Sequence, residues 1–322
     1  MLTADGDSRA ATGWRIALSV GIAAGFIGFV EWYIGWAALL RPWHEIPSGA
    51  LVIAVGLLVV THGFRALRVH DYFGSAVRSR RLTCLRLVLQ HNLFNTVLPM
   101  RSGELAFPVL MKRRFGIGPF ASLPGLLLFR LLDLHTLGLI VIPVLLLSHL
   151  PAALLMTLMV AWLLLPWLLW RMGARGVASV EPDSSRAGRL LHRILQGLPQ
   201  DFRVFLRTQA WTLINWTVKL AVFAWVLLMF APLPPGLAVL GAIGGEITSV
   251  LPIHGVGGFG TYEAGIVAPT LPSGLEPEVL LRAAINMHLF VLGVTLTAGG
   301  LAFSPWPKDT RNSAESRPNR RS

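Results

Sequence analysis

The stretch Asn95-Thr96-Val97-Leu98-Pro99-Met100-Arg101-Ser102-Gly103-Glu104 interrupts the apolar run Leu87–Met111 with a proline, a glycine and two charges. Basic clusters flank that run on both sides, Arg65–Arg86 before it and Lys112–Arg114 after it. Lys and Arg collect on the cytoplasmic side of membrane proteins. A single crossing through Leu87–Met111 would leave one cluster outside. A hairpin that enters and returns keeps both on one side, so the interrupted stretch predicts a re-entrant segment.

The same pattern recurs further along. Ser249-Val250-Leu251-Pro252-Ile253-His254 repeats the order of a small hydroxyl residue, Val-Leu-Pro, an apolar residue and a basic-type residue, and a glycine follows each copy. It lies in Leu237–Ala268, which is broken by Gly244, Gly245, Pro252 and the run Gly255–Gly260. Around these segments stand apolar runs suited to a bilayer core about 30 Å thick, which takes roughly 20 helical residues to cross. They are Ile16–Leu40, Ala50–Phe64 (extending toward Leu67), Phe120–Leu147, Ala152–Trp170, Thr208–Phe230 and Val279–Phe303. Of 322 residues, 54% are hydrophobic and 14% charged, too little polar surface to cover buried soluble helices of this length.

A net charge of +12 raises the question of nucleic acid, and its distribution answers it. The basic residues gather at Arg9 and Arg15, Arg65–Arg86, Lys112–Arg114, Arg171–Arg207 and Lys308–Arg321, on alternate loops. This predicts an integral plasma (inner) membrane protein with both termini cytoplasmic and no nucleic-acid partner. Three full crossings separate the two broken segments, an odd number, so the second copy is inverted. The expected fold is an all-α polytopic membrane protein, an inverted repeat of two halves. It has about six full crossings plus two broken re-entrant hairpins, or eight crossings if two closely paired crossings replace either hairpin. Residues 1–13 form a cytoplasmic N-terminus and 14–303 the membrane domain. Its halves are about 14–148 and 150–303, with a basic loop at 171–207, and 304–322 form a polar, basic, disordered tail. The first apolar run is expected to be retained as a crossing rather than cleaved. With Cys84 as the sole cysteine there is no internal disulfide, and no metal site or cofactor is expected.

Irregular backbone cannot face lipid with unpaired N–H and C=O groups. Both broken segments must therefore be covered by protein or line a wet cavity. That places Arg101, Ser102 and Glu104 inside, and Arg130 and Asp133 repeat the three-residue charge spacing of Arg101 and Glu104 in the next crossing. Charges within a span are costly, so these either pair to pin helices together or line a site for a lipid head group. In the second half Glu246, His254 and Glu263 take the corresponding places. Pro99, Gly103, Pro252, Gly255, Gly257 and Gly258 shape the breaks, and the glycine amides could also bind an anion. Asn95 and Asn286 are expected to hydrogen-bond between helices. Lys219 can snorkel or pair with an interior acid, and His62, His135 and His288 are expected as interior histidines rather than ligands.

Asn95, the run Pro99-Met100-Arg101-Ser102-Gly103-Glu104, Arg130-Leu131-Leu132-Asp133, and the later Pro252, Gly255–Gly260 and Glu263 together resemble the flippase-like transmembrane domain of lysylphosphatidylglycerol synthases. The resemblance covers most of Trp14–Phe303. Two departures stand out. Phe129 occupies the place of a frequent Glu, and Phe107 and Pro108 occupy the region of a frequent Arg. The soluble aminoacyl-transferring domain of the full-length synthases has no counterpart here. The resemblance implies movement of a polar-headed or lipid-linked substrate between leaflets, through a cavity between inverted halves, without enzymatic change. The partners it implies are membrane lipids, anionic or lipid-linked, and it leaves open self-association or an envelope-biosynthesis partner. A membrane-embedded enzyme acting on a lipid-linked substrate and a structural subunit of an envelope assembly are the alternatives.

Overall fold

Inside hydrocarbon a segment must satisfy its own backbone hydrogen bonds, and the helix does so within itself. The computed structural model of the chain follows that rule. It describes residues 21, 24–77, 80–147, 149–179, 199, 201–250 and 256–305, and all regular structure among them is helical.

Helical residues at 24–33 form α1, followed by the short α2 (Trp36–Leu40) and α3 (Pro42–Glu45). The run expected as one crossing is therefore broken at Gly35, whose φ of 79° belongs to the left-handed region that glycine tolerates. Next come α4 (Ser48–Phe73), α5 (Arg81–Val97), a 3-10 segment (Pro99–Leu105) and α6 (Ala106–Phe115). Then follow α7 (Pro119–Leu146), α8 (Ala152–Ser179), α9 (Phe202–Phe230), α10 (Pro235–Val250), α11 (Thr261–Thr270) and α12 (Pro277–Leu301). Among the described residues, Ser48–Val77, Pro119–Leu146, Phe202–Phe230 and Pro277–Leu301 are long and apolar enough to cross a bilayer, and Ala152–Leu168 is a shorter apolar stretch.

The ends of these helices follow local chemistry. Pro119 and Pro277 open α7 and α12, where a missing N–H costs nothing. The Asp201 carboxylate caps α9 by accepting from the Arg203 amide at 2.8 Å. Gly116, at φ 75°, closes α6.

Both broken segments are antiparallel hairpins. In the first, α5 meets the returning chain at successively earlier points. Gln90 accepts from Arg114, His91 packs against Phe107, and Gly103 lies on the Phe94 backbone so closely that a Cβ there would collide with it. In the second, Gly241 faces Thr270 and Ile266, Gly244 faces Gly265, and Gly245 faces Tyr262. The Gly244–Gly265 crossing is a backbone-to-backbone contact with no room for a Cβ on Gly244. The returning helices α6 and α11 have ten residues each, about 15 Å at 1.5 Å per residue, half of what a crossing needs. The main core joins α4, α7, α9, α10, α11 and α12 around Phe223, Leu227, Ile243, Ile266 and Met287. A second cluster, including Leu87, Met111 and Phe129, fixes the first hairpin against α4 and α7.

Candidate functional site

α4 is longer than its apolar core suggests, and this changes the site. Arg65 and Arg68 stand on this helix rather than in a loop, so the Arg65–Arg86 cluster begins within α4. Positions 62, 65 and 68 recur at three-residue spacing and share one face of the helix.

Arg68 is buried and donates to Oδ1 of Asp133 at 2.7 Å and to the Thr212 hydroxyl at 3.1 Å. Its guanidinium lies over the Phe129 ring, 4.5 Å from the centroid. Asp133 also accepts from Trp216 Nε1 at 2.9 Å and, on Oδ2, from Arg130 at 3.3 Å. Arg130 reaches across to Glu104 of the first hairpin, which accepts a further bond from Asn95 at 3.2 Å. His91 Nε2 stands 3.6 Å from the other Glu104 oxygen. The chain Arg68–Asp133–Arg130–Glu104 thus ties α4, α7 and the hairpin together. The expected Arg130–Asp133 pair is present within it. The Arg101 side chain, and with it the Arg101–Glu104 pair, lies outside the described residues.

Arg65 differs from its neighbour. It donates to the Asn92 side-chain oxygen at 2.9 Å and has no carboxylate partner among the described residues. It lines a cavity of about 260 Å³ with Arg130, Asp133, Lys219 and Glu246. Lys219 donates to Glu246 at 2.6 Å and sits about 5 Å from the Trp216 and Phe223 ring centroids. Gly257, Gly258, Tyr262 and His288 line the cavity as well. Gly257 and Gly258 have φ of 70° and 76°, a left-handed pair that only glycine adopts easily. Behind them Glu263, fully buried, accepts from the Gly260 amide at 2.7 Å and lies 2.6 Å from Nδ1 of His288. The Asn215 carbonyl and Tyr262 hydroxyl oxygens are buried at this cavity without a hydrogen bond among the described residues.

The remaining sequence-derived positions fall as follows. Glu246 lines the cavity through its bond to Lys219, and Glu263 stands behind it. Ser102 is exposed and lines a different groove, formed by the first hairpin and Phe303. Pro99 opens the 3-10 segment and Gly103 makes the hairpin contact. Asn95 lines the cavity, whereas Asn286 donates to the Leu39 carbonyl and accepts from Trp43, joining α12 to α2 and α3. His135 bonds to the Trp162 carbonyl between α7 and α8, while His62 faces the cavity. Pro252, His254 and Gly255 lie outside the described residues.

Phe107 and Phe129, the two departures from the resembled pattern, lie against each other at 6.4 Å, edge to face. Both are 2% exposed. Where a carboxylate at 129 would have met Arg68 as an ion, the aromatic face meets it instead.

An all-α bundle with broken antiparallel hairpins and a charged internal cavity defines a polytopic membrane protein built around a polar site. The model of the lysylphosphatidylglycerol synthase TM region matches residues 16–299, and the chain belongs to that family. No curated protein and no solved structure shows significant similarity to it.

Proposed function

We propose that this protein moves a polar-headed or lipid-linked lipid between the leaflets of the inner membrane, the head group passing through the cavity between two inverted halves while the acyl chains stay in lipid. Membership of a family related to lipid synthesis or translocation supports this reading. The observation that carries it is Arg65, a cation on a membrane-length helix that lines a cavity and whose hydrogen bond among the described residues goes to a neutral amide rather than to a carboxylate. Within a span, such a cation is expensive unless something anionic compensates it. Among the described residues, the cations beside it already have carboxylates: Arg68 has Asp133, Arg130 has Glu104 and Asp133, and Lys219 has Glu246.

A head-group phosphate on Arg65 would supply a directly bonded opposite charge. The guanidinium fork suits two phosphate oxygens, and the Asn92 amide sets its orientation. Lys219, Glu246 and the Gly257–Gly258 turn, which line the same cavity, would receive the remainder of the head group. Purified protein in vesicles with a fluorescent anionic phospholipid tests this. Movement of the unaltered label between leaflets is expected. A chemically changed lipid would favour a membrane-embedded enzyme, and no movement would overturn the reading.

A further inference from the structure

Helix α5 carries two different stripes. Asn92, Asn95 and Thr96 line the central cavity. Arg86, Gln90, Phe94 and Leu98, each four residues from the next, line a separate groove on the other side. The facing wall comes from Leu105, Val109 and Leu110 of the returning chain and from Phe303 beyond α12. The groove encloses about 530 Å³. Its apolar lining is open to the surroundings, with Leu105 72%, Phe303 53% and Val109 46% exposed.

At one end of this apolar slot stand Arg86, Arg113 and Arg114, and no carboxylate lines it. Arg86 donates to the Ala302 carbonyl at 2.6 Å and the Ser304 carbonyl at 3.0 Å. Arg114 donates to the Gln90 side chain at 3.3 Å, and Gln90 in turn donates to the Ala302 carbonyl at 3.1 Å. These acceptors are neutral, so three guanidinium charges stand together without a carboxylate among the described residues. From Arg86 to Leu98 the helix rises about 18 Å at 1.5 Å per residue. Half of a hydrocarbon core about 30 Å thick is about 15 Å, so the groove has the depth of one leaflet.

We infer that this groove is a binding site for a resident anionic phospholipid from the leaflet on the side of the basic loops. Its phosphate lies on Arg86, Arg113 and Arg114, and one acyl chain runs along Phe94, Leu98, Leu105 and Val109 to the hairpin tip. Basic loops that only set sidedness need no apolar slot beneath them, and an ordinary lipid-facing surface needs no three arginines at its mouth. Together they match the two parts of a phospholipid. A second copy of the chain fits less well, because a symmetric contact here would bring the same cationic patch against itself. The site is distinct from the central cavity, since α5 stands between them, and it does not depend on the translocation reading.

Spin-labelled phosphatidylglycerol and phosphatidylcholine, each in turn in phosphatidylcholine nanodiscs holding the full chain, test the inference by the fraction of label immobilised. At low salt the anionic lipid should be favoured by at least about tenfold, given the attraction that each of three basic residues exerts on anionic lipid near the surface. The double variant R113Q/R114Q should cut that preference several-fold, leaving the share that Arg86 supplies, and V109W should lower immobilisation of both lipids by filling the slot. Arg86 is left intact because it also ties α5 to the end of α12. R113Q alone removes a side chain that makes no hydrogen bond or ion pair among the described residues, so a reduced preference in that variant does not reflect a lost bond among them. Equal immobilisation of the two lipids in the wild type, or an unchanged preference in R113Q/R114Q, overturns the site.

Discussion

Arg65 and Arg68 stand one helical turn apart on α4 and have opposite surroundings. Arg68 is enclosed by Asp133, Thr212 and the Phe129 face, while Arg65 has the Asn92 amide and the cavity. Substitution should therefore separate them. Removing one partner of a buried ion pair costs about 3–5 kcal/mol because the other charge is left alone. Asp133→Asn should accordingly lower the thermal unfolding midpoint in detergent markedly. Arg65→Gln should leave that midpoint nearly unchanged and reduce lipid transport by about tenfold or more, the scale of one lost charge-assisted hydrogen bond. Equal destabilisation by the two variants would contradict this division of roles. The Arg130–Asp133 pair is legible in the sequence because opposite charges three residues apart in an apolar run share a helix face, where each offsets the other's cost in the membrane. Arg65 and Arg68 are less legible: a basic pair at the end of an apolar run normally marks a loop. Their signal is the stripe His62, Arg65, Arg68, which keeps helical spacing beyond the apolar core.

At the scale of elements, the two hairpins rest on glycine contacts. Gly265 has the Gly244 carbonyl and the Thr248 methyl where a side chain would go. Gly265→Ala should cost about 1–3 kcal/mol through overpacking, read as a lower unfolding midpoint. Gly56, on α4 with open space around it, should accept Ala without loss. The breaks themselves are plain in the sequence, since Pro99 and Pro252 with their glycines cannot continue a regular span. The tight pairing of α10 with α11 is not, because a glycine in an apolar run looks the same whether it faces lipid or another backbone. The first apolar run shows the converse limit. The apolar run from Ile16 to Leu40 is uncharged but for Glu31, yet Gly35 turns the chain through a positive φ that composition alone does not reveal.

For the whole molecule, the central claim is a lipid path between two inverted halves. The inversion makes a separate prediction. Cys84 is buried and the sole cysteine, so a Cys84→Ala background allows single cysteines to be placed elsewhere. Membrane-impermeant labelling should reach a cysteine at Gly116 only from the cytoplasm and one at Gly274 only from the outside. Reaching both from the same side would exclude the proposed topology.

The most direct measurement of the path itself is leaflet exchange of a fluorescent phosphatidylglycerol in vesicles of defined composition, read by quenching from outside. Wild-type protein should make the inner-leaflet pool accessible at least about tenfold faster than the Arg65→Gln variant at equal reconstitution, with the lipid recovered unaltered. Identical rates for the two proteins, or rates no faster than in protein-free vesicles, would contradict the account.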